Sequence, residues 1–121
     1  MSVTPAVVTD VTMRTLRQAM QGVGARRQSI QDNLANVETP GYLANTVSFE
    51  DSLRQALAGG APENMRTTTA RSLAATNEAG NNVQVDQEVV ALSENELRGA
   101  LLTEALNAKY RLLRTSITGA P

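Results

Sequence analysis

Apolar residues alternating at three- and four-residue spacing, at both ends of the chain, constrain this sequence more than any other feature. Near the N-terminus they fall at Met13, Leu16, Met20, Val23, Ile30, Leu34 and Val37, with Arg27 at the one skipped position. Near the C-terminus the alternation runs through Val85, Val89, Leu92, Leu106, Tyr110, Leu113 and Ile117, with Glu96, Gly99 and Thr103 between. This pattern keeps one side of a helix apolar and marks a coiled-coil-like seam. Val90, Leu97, Leu101 and Leu112 widen the apolar face of the second segment. Its acids (Asp86, Glu88, Glu94, Glu96) come early and its bases (Lys109, Arg111, Arg114) late, an order that complements the helix dipole. The spacing predicts helices over 10–37 and 83–118. Gly22 and Gly24 lie inside the first, each costing about 1 kcal/mol in a helix, and mark either close packing or a soft spot. The expected fold is mainly α. Two long terminal helices pair as an antiparallel coiled-coil-like hairpin, joined by a short helix and a loop-rich middle segment.

The first helix runs into "NLANVETPGY", Asn33 to Tyr42. Pro40 pushes Thr39 out of the helical region. Pro40-Gly41 suits the centre of a type II turn, where glycine supplies a positive φ. Asn33 and Asn36 can satisfy loose carbonyls at the helix end or bridge to the following loop. Tyr42 can lay its ring on the helix and keep its hydroxyl in water. Ser48 and Asp51 have capping-box spacing, so a short helix is expected over about 49–58, with Phe49, Leu53, Ala56 and Leu57 on one face. Gly59-Gly60 and Pro62 stop it. Residues 59–82 carry only Met65 and Leu73 as large apolar residues and read as loop, with at most a short strand pair around Arg66–Arg71. The expected organisation is a flexible N-terminal arm over 1–9, a helix over 10–37, a middle segment over 38–82 and a helix over 83–118.

The composition excludes much chemistry. Cys and His are absent, which removes disulfides, the usual zinc sites, thiol nucleophiles and imidazole acid–base catalysis. The 11 basic and 12 acidic residues leave a formal charge of −1, so no nucleic-acid partner is expected. No apolar run approaches the ~18 residues of a membrane span. The start "MSVTPAVVTDVTMRTL" has neither a basic n-region nor a long apolar h-region, so no cleaved leader is expected. Glu94 and Glu96 are two apart on a helix and do not face each other. They read as solvated charge rather than an acid–base pair. No catalytic, cofactor-binding or metal-binding residue is assigned, and an enzyme is not expected. Arg27, on the first seam, and Glu96, at the polar break of the second, form a candidate register pair. The other reading of Arg26-Arg27 is a solvated basic pair. Aromatic residues are only Phe49, Tyr42 and Tyr110. With so little bulk for a core, the seam residues Met13, Leu16, Met20, Val23, Ile30, Val85, Val89, Leu92, Leu106, Tyr110, Leu113 and Ile117 are expected to pack between subunits.

The string Asn33, Leu34, Ala35, Asn36, Thr39, Pro40, Gly41, Tyr42 resembles the signature N-[IL]-A-N-x-x-T-P-G-[YF] of bacterial flagellar basal-body rod proteins. It lies at the end of the N-terminal helix, as in that family. "EVVALSENELRGALLTEALNAKYRLLRTSI" looks like the family's terminal helix. Together the two regions cover about residues 10–50 and 82–118, and the short length resembles the family's proximal members. Leu43 stands where a basic residue often follows the Tyr, and Gly99 where a bulky residue is common. The resemblance implies a structural subunit of the proximal rod, without cofactor. It implies export through the flagellar type III apparatus without a cleaved signal, and helical assembly in the periplasm through the terminal helices. The rod would serve as drive shaft and enclose the export channel. Implied partners are other copies of the chain, other rod proteins, a FliE-like adaptor at the inner-membrane ring and the export apparatus. The rival reading is a soluble coiled-coil adaptor that binds a partner helix.

Overall fold

The computed structural model describes residues 5–119, with side chains from Val11 onward. Three α-helices and two strands follow in the order α1 (Pro5–Ala35), β1 (Asn45–Ser48), α2 (Glu50–Ala58), β2 (Thr68–Arg71) and α3 (Val85–Thr118), with a 3-10 turn at Pro62–Asn64. Helix α1 starts at Pro5 rather than Asp10. Proline suits a first helical position, because its φ is already set and an N–H there would lack a partner. Residues 1–4 of the expected arm lie outside the described residues. Helix α1 ends at Ala35, and Asn36 and Val37, expected inside it, form a tightened last turn. There Val37 N–H donates to the Leu34 carbonyl at 3.4 Å.

The two long helices pack antiparallel. Contacts step in opposite directions along them: Arg17 meets Tyr110 at 2.7 Å, and farther along α1 Val23 meets Asn95 at 2.9 Å. Val23, Phe49 and Met65 form the centre of the core, with Ala19, Leu53 and Leu102 packed around it. Phe49 reaches that centre because Gly22 has no side chain. A Cβ at Gly22 would lie 2.4 Å from the Phe49 ring, whereas one at Gly24 would meet nothing within 4 Å. Of the two glycines, only Gly22 is there for close packing.

The middle segment is more ordered than a loop. Strands β1 and β2 form an antiparallel ribbon, with Asn45 opposite Arg71 and Ser48 opposite Thr68. The expected strand pair within 66–71 is therefore corrected: β2 pairs with the segment after the joint. Only Val47 of this ribbon points inward, so alternation of apolar residues hardly announces it. Helix α2 lacks the expected capping box. Ser48 belongs to β1, the helix is preceded by Phe49, and no side chain caps it. The strand pairing and the Phe49–Gly22 contact fix the register one residue later than Ser48 requires. The stop at Gly59-Gly60 is a Schellman turn. Gly60 has φ +76, its N–H donates to Leu57, and Ala61 N–H reaches Ala56 at 2.9 Å.

Candidate functional site

The joint between α1 and β1 is built from asparagines. Asn33 is fully buried. Its amide pairs with the backbone of Asn45 as a strand would, donating to the carbonyl at 2.9 Å and accepting from the N–H at 2.9 Å. The Tyr42 hydroxyl donates to the same Asn33 oxygen at 3.2 Å, so it is held by Asn33 instead of staying in water. Asn36 donates to the Asp32 carbonyl and accepts from the Thr39 hydroxyl. The turn is closed by Tyr42 N–H on the Thr39 carbonyl at 3.2 Å, with Gly41 at φ +75. Leu34 is half-buried, and Ala35, Thr39, Pro40 and Gly41 are exposed.

A second stretch of chain, within the expected loop over 59–82, completes the joint. Asn81 donates to the carbonyls of Asn36 and Thr39 at 2.8 and 2.9 Å. Asn82 accepts from Ala44 N–H at 2.7 Å and donates to the carbonyls of Ser72 and Ala74. Gly41 N–H donates to the Ala79 carbonyl at 2.8 Å. A Cβ on Gly80 would lie 3.4 Å from the Gly41 Cα, so two glycines let the backbones meet. The signal lies in "NEAGNN" (residues 77–82), whose amides form a network that leaves no mark in apolar patterning.

Arginines on α1 tie the remaining elements to it. Arg26 donates to the Val47 carbonyl at 3.0 Å and to both Glu50 oxygens at 2.7 Å, and its guanidinium lies 4.7 Å from the Phe49 ring centre. It is thus a clamp on the entry to α2 rather than a solvated charge. Hydrogen bonds from Arg26 hold the Glu50 carboxyl down to about 2, well below the usual range. Arg14 does the same for Glu63, also about 2. The candidate pair Arg27 and Glu96 is in contact, but the two side chains are 42% and 50% exposed. It is a surface ion pair, not a buried one, with a stabilisation of about 0.2–1 kcal/mol at most.

Of the N-terminal seam, Met13, Val23 and Ile30 are buried and Leu16 and Met20 half-buried, all within this one chain. The C-terminal seam divides. Leu92, Leu106 and Leu113 face inward within the chain, whereas Val85, Val89, Tyr110 and Ile117, expected to pack between subunits, are exposed. The inward stripe runs through Leu92, Asn95, Gly99, Leu102 and Leu106. It passes through Asn95 and Leu102 where Glu96 and Thr103 were expected. A shift of one residue turns a helix by about 100°. Asn95 carries no hydrophobic signal, which is why the spacing alone places Glu96 on the seam beside it, whereas Gly99 lies on the inward stripe as the spacing has it.

The opposite side of α3 carries a second stripe. Val90, Leu97, Leu101 and Leu112 are 57%, 62%, 62% and 57% exposed. Val90, Leu101 and Leu112 recur every 11 residues, and Leu97 recurs as Ala108. Next to this stripe, Leu101 also enters an open groove of about 820 Å³, walled by Ala19, Val23, Phe49, Leu53 and Leu57. Helix α3 is therefore apolar on both sides, and only one is covered. Among the described residues no group of His, Cys, Asp and Glu is placed to hold a metal, and no helix is long and apolar enough to cross a membrane.

No family model matches the chain. Curated relatives do. The flagellar basal body rod protein FlgB of Bacillus subtilis is 31% identical over 89% of this chain and 94% of its own length. The FlgB of Cereibacter sphaeroides is 31% identical over 78% of this chain and 84% of its own. That of Borreliella burgdorferi is 27% identical over 64% and 74%.

Proposed function

The chain belongs to the family of the flagellar basal body rod protein FlgB, a structural protein of the rod, and on that premise we propose how it builds one. Subunits assemble helically, with α1 and α3 lying along the axis and packing against α1 and α3 of their neighbours. The assembled helices form part of the drive shaft and surround the export channel. The chain reaches the periplasm through the flagellar export apparatus without a cleaved signal. It meets a FliE-like adaptor on one side and further rod proteins on the other. The asparagine joint fixes the direction in which β1 and α2 leave the axial helix pair.

The observation that supports this reading is the doubly apolar α3. A helix with apolar residues on all sides is normally a buried one, yet Val90, Leu97, Leu101 and Leu112 face outward. In a monomer that surface is a liability, and in a packed bundle of subunits it is the core. Leu97→Glu tests it. Leu97 is an exposed side chain, so the stability of the purified chain should stay within about 0.5 kcal/mol of the parent. The amount of the chain in purified hook–basal bodies, and motility, should fall to near zero. Normal incorporation of this variant would remove the outward stripe from the assembly.

A further inference from the structure

A polar cleft of about 320 Å³ opens between α1, β1 and the first turns of α3, with Ser29, Asn45, Glu88, Glu94 and Asn95 in its wall. Asn95 is 1% exposed. Its Nδ2 donates to the Val23 carbonyl at 2.9 Å, but its Oδ1 is buried without a donor. Such an orphan acceptor is destabilising, because burial has removed its water without supplying a donor. Glu88 and Glu94 are also unpaired: among the described residues neither lies within ion-pair distance of a base. The bases that line the cleft are already engaged, Arg26 by Glu50 and Val47 and Arg98 by Glu50. Surplus negative charge and an unmet acceptor thus share one site at the start of α3.

The opposite surplus lies toward the far end of the same helix. Lys109 and Arg114 meet no acid among the described residues. They cannot fold back to the cleft, because Glu94 and Lys109 are fifteen positions apart on one helix, about 22 Å at 1.5 Å per residue. A second copy can bring them there. We propose that the cleft at Glu88, Glu94 and Asn95 receives Lys109 or Arg114 of a neighbouring copy, giving a head-to-tail contact between successive α3 helices. The ammonium or guanidinium meets two carboxylates, and its N–H groups are the donors that Asn95 Oδ1 lacks. In this head-to-tail arrangement the copies at the two ends of a row keep one free cleft and one free basic end, so the contact propagates in one direction. The proposal rests on the rod reading for its role, but the contact itself is a property of the purified chain.

The chain has no cysteine, so single cysteines report the contact cleanly. Purified Glu94→Cys is mixed with purified Lys109→Cys, and separately with Arg114→Cys, and the mixtures are oxidised. At least one mixture should give a mixed disulfide dimer several-fold above the like-with-like products, and added salt should reduce it. Mixed dimers no more abundant than like-with-like products, in both mixtures, overturn the proposal. Charge reversal gives an independent readout. Glu88→Lys with Glu94→Lys, and Lys109→Glu with Arg114→Glu, should each abolish sedimentable oligomers, and an equimolar mixture of the two double variants should restore them. Lack of restoration, with both double variants folded by circular dichroism, counts against it equally. Cross-linking in the purified chain together with absence from basal bodies would keep this contact and refute the rod reading. The reverse pair of results would refute only the contact.

Discussion

Asn33 accounts for more of the joint than any other side chain, because it is fully buried and serves three hydrogen bonds that no other residue can make from its position. Asn33→Ala should cost about 2–3 kcal/mol, since it strands the Asn45 N–H and carbonyl away from water. The midpoint of a denaturant titration measures this, and a loss under about 0.5 kcal/mol would show that Asn45 finds other partners. Two glycines on α1 provide a matched contrast. Gly22→Ala drives a methyl into the Phe49 ring and should destabilise by about 1–3 kcal/mol. Gly24→Ala meets nothing and should stabilise by about 0.5–1 kcal/mol, as alanine replaces glycine in a helix. Equal effects at the two positions would contradict the placement of Phe49.

Elements were legible to different degrees. The long helices followed from spacing, because a 3.6-residue period repeated over many turns leaves little room for another fold. The short α2 followed from its apolar face and its glycine stop. The face that α3 turns to α1 passes through Asn95 and Leu102 rather than Glu96 and Thr103, since a buried amide leaves no apolar mark. A strand at β2 was legible, but its pairing with β1 and the asparagine lock were not, for the same kind of reason: backbone and amide hydrogen bonds hold them, with Val47 the ribbon's only buried residue. Where Arg26 ties β1 and α2 to α1, acid should loosen the link. Glu50 titrates near 2 when folded and near an ordinary value of about 4.3 when unfolded. Its contribution is therefore complete above about 4.3 and disappears as the pH falls toward about 2. With Glu50 45% exposed, the effect should stay under about 1 kcal/mol. It appears as a steeper acid loss of stability in the parent than in Glu50→Gln. Parallel pH profiles would mean that the pair adds nothing.

The whole molecule is a pair of long helices with a small core near its middle. Residues of that core come from α1, Phe49, Met65 and the centre of α3, whereas beyond Leu106 the α3 side chains are half-buried at best. Hydrogen exchange in the free chain should therefore be slowest around Ala19–Ile30 and Asn95–Leu102 and fastest at the C-terminal end of α3. Uniform protection along α3 would show that the helix needs no neighbour. The two apolar stripes of α3 have a mechanical consequence. A stripe that repeats every seven residues pulls a helix into a left-handed supercoil, and one that repeats every eleven pulls it into a right-handed one. Here the first faces α1 and the second faces outward, so the two tendencies oppose each other on one backbone.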